Sequence, residues 1–118
     1  MSTPAPTPAT GPRNLAAPLA AWLRTQGFTA SETEHPTLSL VEAHWIGPSG
    51  ERFQLDYRWQ QLATGRVVAY RLEVLYAGES TATSLFVGQT VWHLRDARLL
   101  LTSNLRYATA RQLVRELA

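Results

Sequence analysis

Between Glu51 and Gln60, apolar and polar side chains alternate. Phe53, Leu55, Tyr57 and Trp59 interleave with Arg52, Gln54, Asp56, Arg58 and Gln60. A repeat of two sends one set into a core and the other into water, as in a strand of an antiparallel sheet with one wet face. Arg66–Ala77 repeats the pattern, with Val68, Tyr70, Leu72, Val74 and Tyr76 turned inward. Leu38–Ile46 has apolar residues on both faces, and the turn after it decides its orientation. Gly47-Pro48-Ser49-Gly50 places Pro second and Gly fourth, which suits a type I turn closed by a glycine bulge. Pairing Gly47 with Glu51 then sets Trp45 opposite Phe53, Ala43 opposite Leu55 and Val41 opposite Tyr57, facing the core together. Glu42 and His44 stay outside, whereas a slip by one residue would invert the strand.

Helical spacing flanks these strands. Leu15, Leu19, Trp22 and Leu23 form one stripe, predicting a helix from near Asn14 to Gly27, a residue suited to the left-handed position after a helix. Pro18 fits if it lies in the first turn, which moves the start to Ala17. After Gly78, Ser84–Val87 reads as a short fourth strand. Thr90 reads as the cap of a helix through Val91, Leu94, Ala97 and Leu101, with Leu99–Leu101 as strand in the other reading. Ser103 or Asn104 would cap a last helix whose apolar face is Tyr107, Ala110, Leu113, Val114 and Leu117, with Arg106, Arg111 and Arg115 off that face. The expected fold is α+β in two layers, ordered α-β-β-β-(β)-α-α. An antiparallel sheet of three to four strands carries the helices on one face.

Composition sets the boundaries. Residues 1–13, MSTPAPTPATGPR, have four prolines and no large apolar side chain after Met1, and are expected to be a flexible tail. Residues 14–118 form one domain in this reading, a size that supports a single core. The run Leu15–Leu23 follows a charge-poor start and is closed by Arg24, unlike a secretory signal. No segment approaches the roughly 20 apolar residues of a membrane span, so a cytoplasmic chain with no membrane contact is expected. All eleven cations of the 118-residue chain are Arg, and Cys is absent. Chemistry that needs a lysine or a cysteine is thereby excluded: phosphate-loop or Schiff-base lysines, thiol nucleophiles, disulfides and cysteine metal sites.

The candidate chemistry lies on the wet sheet face. Setting Trp59 opposite Val68 puts Tyr57 opposite Tyr70 and Asp56 opposite Arg71. One row across the strands then reads Glu42–Asp56–Arg71, and the next reads His44–Gln54–Glu73. Glu42, His44, Asp56 and Glu73 offer oxygen and imidazole ligands for a divalent cation, or a carboxylate tuned as a general base. The plainer reading, adopted here, is a solvated face with cross-strand ion pairs, with no metal and no cofactor.

A helix, strands bearing Glu42 and Asp56, and Arg71-Leu72-Glu73-Val74-Leu75 on the next strand loosely resemble the PD-(D/E)xK nuclease core. The resemblance implies a metal held by acids on adjacent strands and, two residues beyond the Glu, a lysine assisting the attacking water. Leu75 stands at that position, and no Pro precedes Asp56. The order of elements, with Gly47-Pro48 opening a hairpin, also faintly resembles a double-stranded-RNA-binding domain. There the last helix begins with a lysine-rich phosphate grip, where this chain has Asn104-Leu105-Arg106.

Charge is uneven along the chain. Residues 31–42 carry Glu32, Glu34 and Glu42 with no Arg, whereas residues 91–118 carry Arg95, Arg98, Arg106, Arg111 and Arg115 against Asp96 and Glu116, a net +3. Arg95 and Arg98 beside Arg111 and Arg115 would form a face for phosphates or an acidic partner. Three weaker signals have ordinary explanations. Gly78–Ala82 mimics a nucleophile elbow in a chain too short for that hydrolase fold, His93 and Asp96 lack a third metal ligand, and His35-Pro36 is turn chemistry. The expected function is a non-catalytic binding or assembly domain. Its Arg-rich end would dock a protein, another copy of the chain included, or nucleic acid. A metal-dependent phosphodiesterase using Glu42, His44, Asp56 and Glu73 is the alternative.

Overall fold

The computed structural model describes residues 11–88 and 91–117. Helix α1 spans Ala16–Thr25, followed by strands β1 (Thr29–Glu34), β2 (Leu38–Ile46), β3 (Arg52–Leu62), β4 (Gly65–Leu75) and β5 (Thr83–Gly88), then helix α2 (Leu94–Leu117). The strands form one antiparallel sheet in chain order, with β1 and β5 at its edges. The α+β class is as expected. The sheet, however, has five strands, and one long helix replaces the two expected after it.

The central registers follow the turn and the period-2 pattern. Trp45 pairs with Phe53, Ala43 with Leu55 and Val41 with Tyr57, while Trp59 pairs with Val68 and Asp56 with Arg71. At the β2–β3 turn the Gly50 N–H donates to the Gly47 carbonyl (3.1 Å) and the Gly47 N–H to the Glu51 carbonyl (2.7 Å), with Gly50 at φ +87°. This is the bulged type I turn that the glycine spacing called for.

Strand β1 was not expected. Its sequence, TASETE, has no large apolar residue, and only Ala30 and the flanking Phe28 pack toward the core. Pairing with β2 and an ion pair from Arg24 of α1 to Glu32 (3.6 Å) hold it at the edge.

One sheet face is covered by helices. Val41, Ala43, Phe53, Leu55, Tyr57, Trp59, Val68, Tyr70, Leu72, Val74 and Tyr76 point into the core, where α1 adds Leu19 and Leu23 and α2 adds Ala97, Leu101 and Ala108. Phe28, Trp45 and Phe53 stack in sequence, with centroids 5.6 and 5.4 Å apart. Burial pushes the Tyr57 hydroxyl up to about 12, and the Leu15 N–H donating to it acts in the opposite direction. Pro12, which the sequence pattern assigns to the leading segment, is buried, and its carbonyl accepts from the Trp59 indole (3.0 Å).

α1 ends in a Schellman motif. The Phe28 N–H donates to the Leu23 carbonyl (3.0 Å) and the Gly27 N–H to the Arg24 carbonyl (3.2 Å), with Gly27 at φ +99°. A Cβ at Gly27 would lie 3.1 Å from the Trp45 indole nitrogen. Gly27→Ala is therefore expected to cost about 1–2 kcal/mol, seen as a lower midpoint in thermal melts followed by circular dichroism.

The two expected C-terminal helices are one because Ser103 and Asn104 do not cap. Their side chains donate back to the carbonyls of Leu99 and Leu100, each at 2.8 Å, so the residues sit inside a continuous helix. The Thr90 cap lies outside the described residues. No helix among the described residues is long and apolar enough to cross a membrane.

Candidate functional site

In the N-terminal half of α2, Ala97 and Leu101 are buried with Leu94 packed beside them, as expected, but in the C-terminal half the faces are reversed. Ala97, Leu101, Ala108 and Gln112 point into the domain. Tyr107, Leu113, Val114 and Leu117, predicted to be the buried stripe, are 57, 46, 66 and 87% exposed, and Leu99 is 63% exposed. The inward positions of this half are held by Ala108 and Gln112, and Arg115 lies over the buried Tyr76 ring.

Polar bonds then fix the helix's rotation. The Ala77 N–H donates to Gln112 Oε1 (2.8 Å), the Thr109 hydroxyl donates to Glu51 Oε1 (2.9 Å), and Arg115 pairs with Glu79. At its other end Arg98 lies over the Trp22 ring of α1, 5.6 Å from the centroid. At 3.6 residues per turn, Leu99, Ala110, Leu113, Val114 and Leu117 share one side of the helix, with Tyr107 at its margin. The result is an exposed apolar cluster on the last two turns of α2, separated from Leu99 by Ser103 and Arg106 on the same side.

The arginines of α2 fall into two separate groups along the axis, because the helix is unbroken, and Arg106 shares the side of the apolar residues. Arg98 and Arg111 are thirteen positions apart, about 20 Å along the axis, so the expected side-by-side placement of the two pairs does not occur. Arg95, Arg98 and Arg106 border a groove with Trp22, Gln26 and Leu99 between α1 and α2. Arg95 and Asp96 approach to 3.9 Å at the surface. Arg111 donates to the Tyr107 hydroxyl (3.2 Å), and Arg115 covers Tyr76 at 4.9 Å. Asn104-Leu105-Arg106 lies mid-helix, so the helix start that the RNA-binding resemblance implied there is absent.

On the open sheet face, the register aligns Glu42 with Asp56 and Arg71, and His44 with Gln54 and Glu73. The side chains nevertheless find separate partners. Gln54 donates to Asp56 (3.0 Å), Arg71 pairs with Glu73, and Glu42 and His44 are exposed. Among the described residues, no group of three or more His, Asp or Glu side chains is placed to hold a metal ion. Shallow depressions of about 320 and 390 Å³ mark this face, lined in part by Ile46, Leu75 and Val87 among the charged side chains.

The outward stripe was present in the sequence as a set of spacings but was assigned to the wrong side. Ala97, Leu101 and Ala108, which share one side at helical spacing, carried the signal that could have reversed it. Comparison with protein-family models, curated proteins and solved structures finds no match for this chain.

Proposed function

We propose that the chain is a non-catalytic docking domain whose α2 outer face receives an amphipathic helical segment of a protein partner with acidic flanks. The observation that carries this reading is the exposed stripe of Leu99, Ala110, Leu113, Val114 and Leu117. Exposed apolar side chains on one side of a surface helix, here densest at Ala110, Leu113, Val114 and Leu117, are what a partner helix can cover, and full burial of each large side chain contributes about 1.5–3 kcal/mol. Nucleic acid would engage the arginines but has no use for the stripe. A second copy would oppose one +3 segment to another, which weakens a helix-to-helix pairing of like faces. Acidic side chains bordering a partner's apolar stripe instead complement Arg95, Arg98 and Arg106. A phosphodiesterase has less support, since Asp56 and Glu73 are each engaged by a neighbouring side chain.

The test is fluorescence anisotropy with a labelled helical peptide carrying leucines on one side and glutamates on its flanks. The intact chain should bind it, with affinity falling as salt rises. Leu113→Glu should weaken binding at least tenfold while leaving the thermal midpoint unchanged, because Leu113 faces solvent. Peptide binding that is indifferent to Leu113→Glu would overturn the reading. So would binding of an oligonucleotide in place of the peptide, or a dimer in sedimentation that Leu113→Glu abolishes.

A further inference from the structure

A different part of α2 carries a second inference, independent of the docking face. Between β4, β5 and the C-terminal half of α2 lies a cavity of about 440 Å³, bordered chiefly by Tyr76, Glu79, Asn104, Tyr107, Arg111 and Arg115. Tyr76 is 2% exposed, and its hydroxyl has no hydrogen-bond partner among the described residues. A buried phenol without a partner is costly, and native proteins rarely leave one. Burial lifts this hydroxyl above its usual range, while Arg111 and Arg115 pull it back, with Tyr107 and Glu79 also acting on it. All four of those residues border the cavity, as does Tyr76 itself, whose hydroxyl is closed off from solvent. Tyr70 also has an unpartnered hydroxyl, but its ring lies in the interior against Tyr57 and Phe86.

We propose that this cavity binds the oxyanion group of a small molecule, a carboxylate or a phosphate. Arg111 and Arg115 supply the charge, and the Tyr76 hydroxyl supplies a buried donor. The Tyr107 hydroxyl accepts from Arg111 (3.2 Å) and keeps its own proton to donate to the anion. The Asn104 amide uses one N–H on the Leu100 carbonyl and has a second to give. Glu79 holds Arg115 as an internal counter-ion, which an incoming anion must displace.

Isothermal titration calorimetry of the full chain with inorganic phosphate, and separately with citrate, tests the site. The two arms distinguish phosphate from carboxylate as the preferred group. Arg111→Gln should weaken the preferred anion about tenfold, the usual worth of one hydrogen bond to a charged group. Glu79→Gln should tighten it by freeing Arg115. Tyr76→Phe is the sharpest variant: it should raise the thermal midpoint without ligand, because an unpartnered polar atom is removed, yet weaken the anion severalfold. A purely structural Tyr76 would not separate the two readouts. Failure of both anions to bind the intact chain would overturn the proposal, as would equal affinities for the intact chain and the Arg111→Gln and Tyr76→Phe variants.

Discussion

Replacing Glu51 with alanine is expected to cost about 2–4 kcal/mol of folding stability and to loosen the C-terminal half of α2. Glu51 is fully buried, and its carboxylate serves two elements at once. Oε2 accepts from the Ser49 N–H (3.1 Å) inside the β2–β3 turn, and Oε1 accepts from the Thr109 hydroxyl (2.9 Å) of α2. Gly47 makes room for this, since a Cβ there would overlap the carboxylate. No basic side chain pairs with Glu51 among the ion pairs of the described residues, so backbone and hydroxyl donors carry its charge. Truncation removes that charge but leaves the turn N–H and the Thr109 hydroxyl without it. Urea unfolding should show the drop, and amide hydrogen exchange should quicken after Leu105. Glu51→Gln, which keeps the shape and an acceptor, should lose less. A stability within ~0.5 kcal/mol of the parent would show that the carboxylate does not tether α2.

Leu55→Ala should be comparably damaging for an unrelated reason. Leu55 lies at the middle of the central strand β3, between Ala43 on β2 and Leu72 on β4, and is fully buried. Its small neighbour Ala43 cannot expand into the space left behind, so the lost burial is compounded by a cavity. A cost of about 3–5 kcal/mol follows, at the upper part of the range for such truncations. It should appear as a fall in urea midpoint with the slope unchanged, as expected for a weakened core rather than an altered unfolded state. Leu117→Ala provides the control: the same chemistry at an 87% exposed position should change stability by less than ~0.5 kcal/mol. Equal effects at the two positions would contradict the assignment of the core.

Elements whose local chemistry agreed with their tertiary setting could be read from the residues. The four-residue turn from Gly47 to Gly50 has one bulged solution that keeps Trp45 and Phe53 on the same side, and the separate pairing of Trp59 with Val68 sets Asp56 against Arg71. β1 escaped because Ser31, Glu32 and Thr33 carry no periodic signal, and its structure comes from the open edge of β2. The break in α2 was inferred from Ser103 and Asn104, residues that cap or back-bond depending on whether the helix before them has somewhere to continue. Orientation of that helix failed for a third reason. Hydrophobicity ranks Leu113 and Val114 above Ala108 and Gln112, but hydrogen bonds from Ala77 to Gln112 and from Thr109 to Glu51 turn the other side inward. The open-face row was aligned correctly, yet register fixes only the Cα positions. Gln54 and Arg71 then drew Asp56 and Glu73 to separate partners.

Gln112 gives α2 a property that an apolar residue at that position would not. A leucine there could slide or rotate by a fraction of a turn at little cost, since dispersion contacts are weakly directional. The bond from the Ala77 N–H to the Gln112 amide has a narrow angular tolerance, and one step along the helix would leave that N–H without its acceptor. The amide thus works as an index mark, setting the rotational phase of α2 against the sheet. Whatever meets the far side of the helix encounters a surface whose azimuth was chosen by a hydrogen bond on the near side.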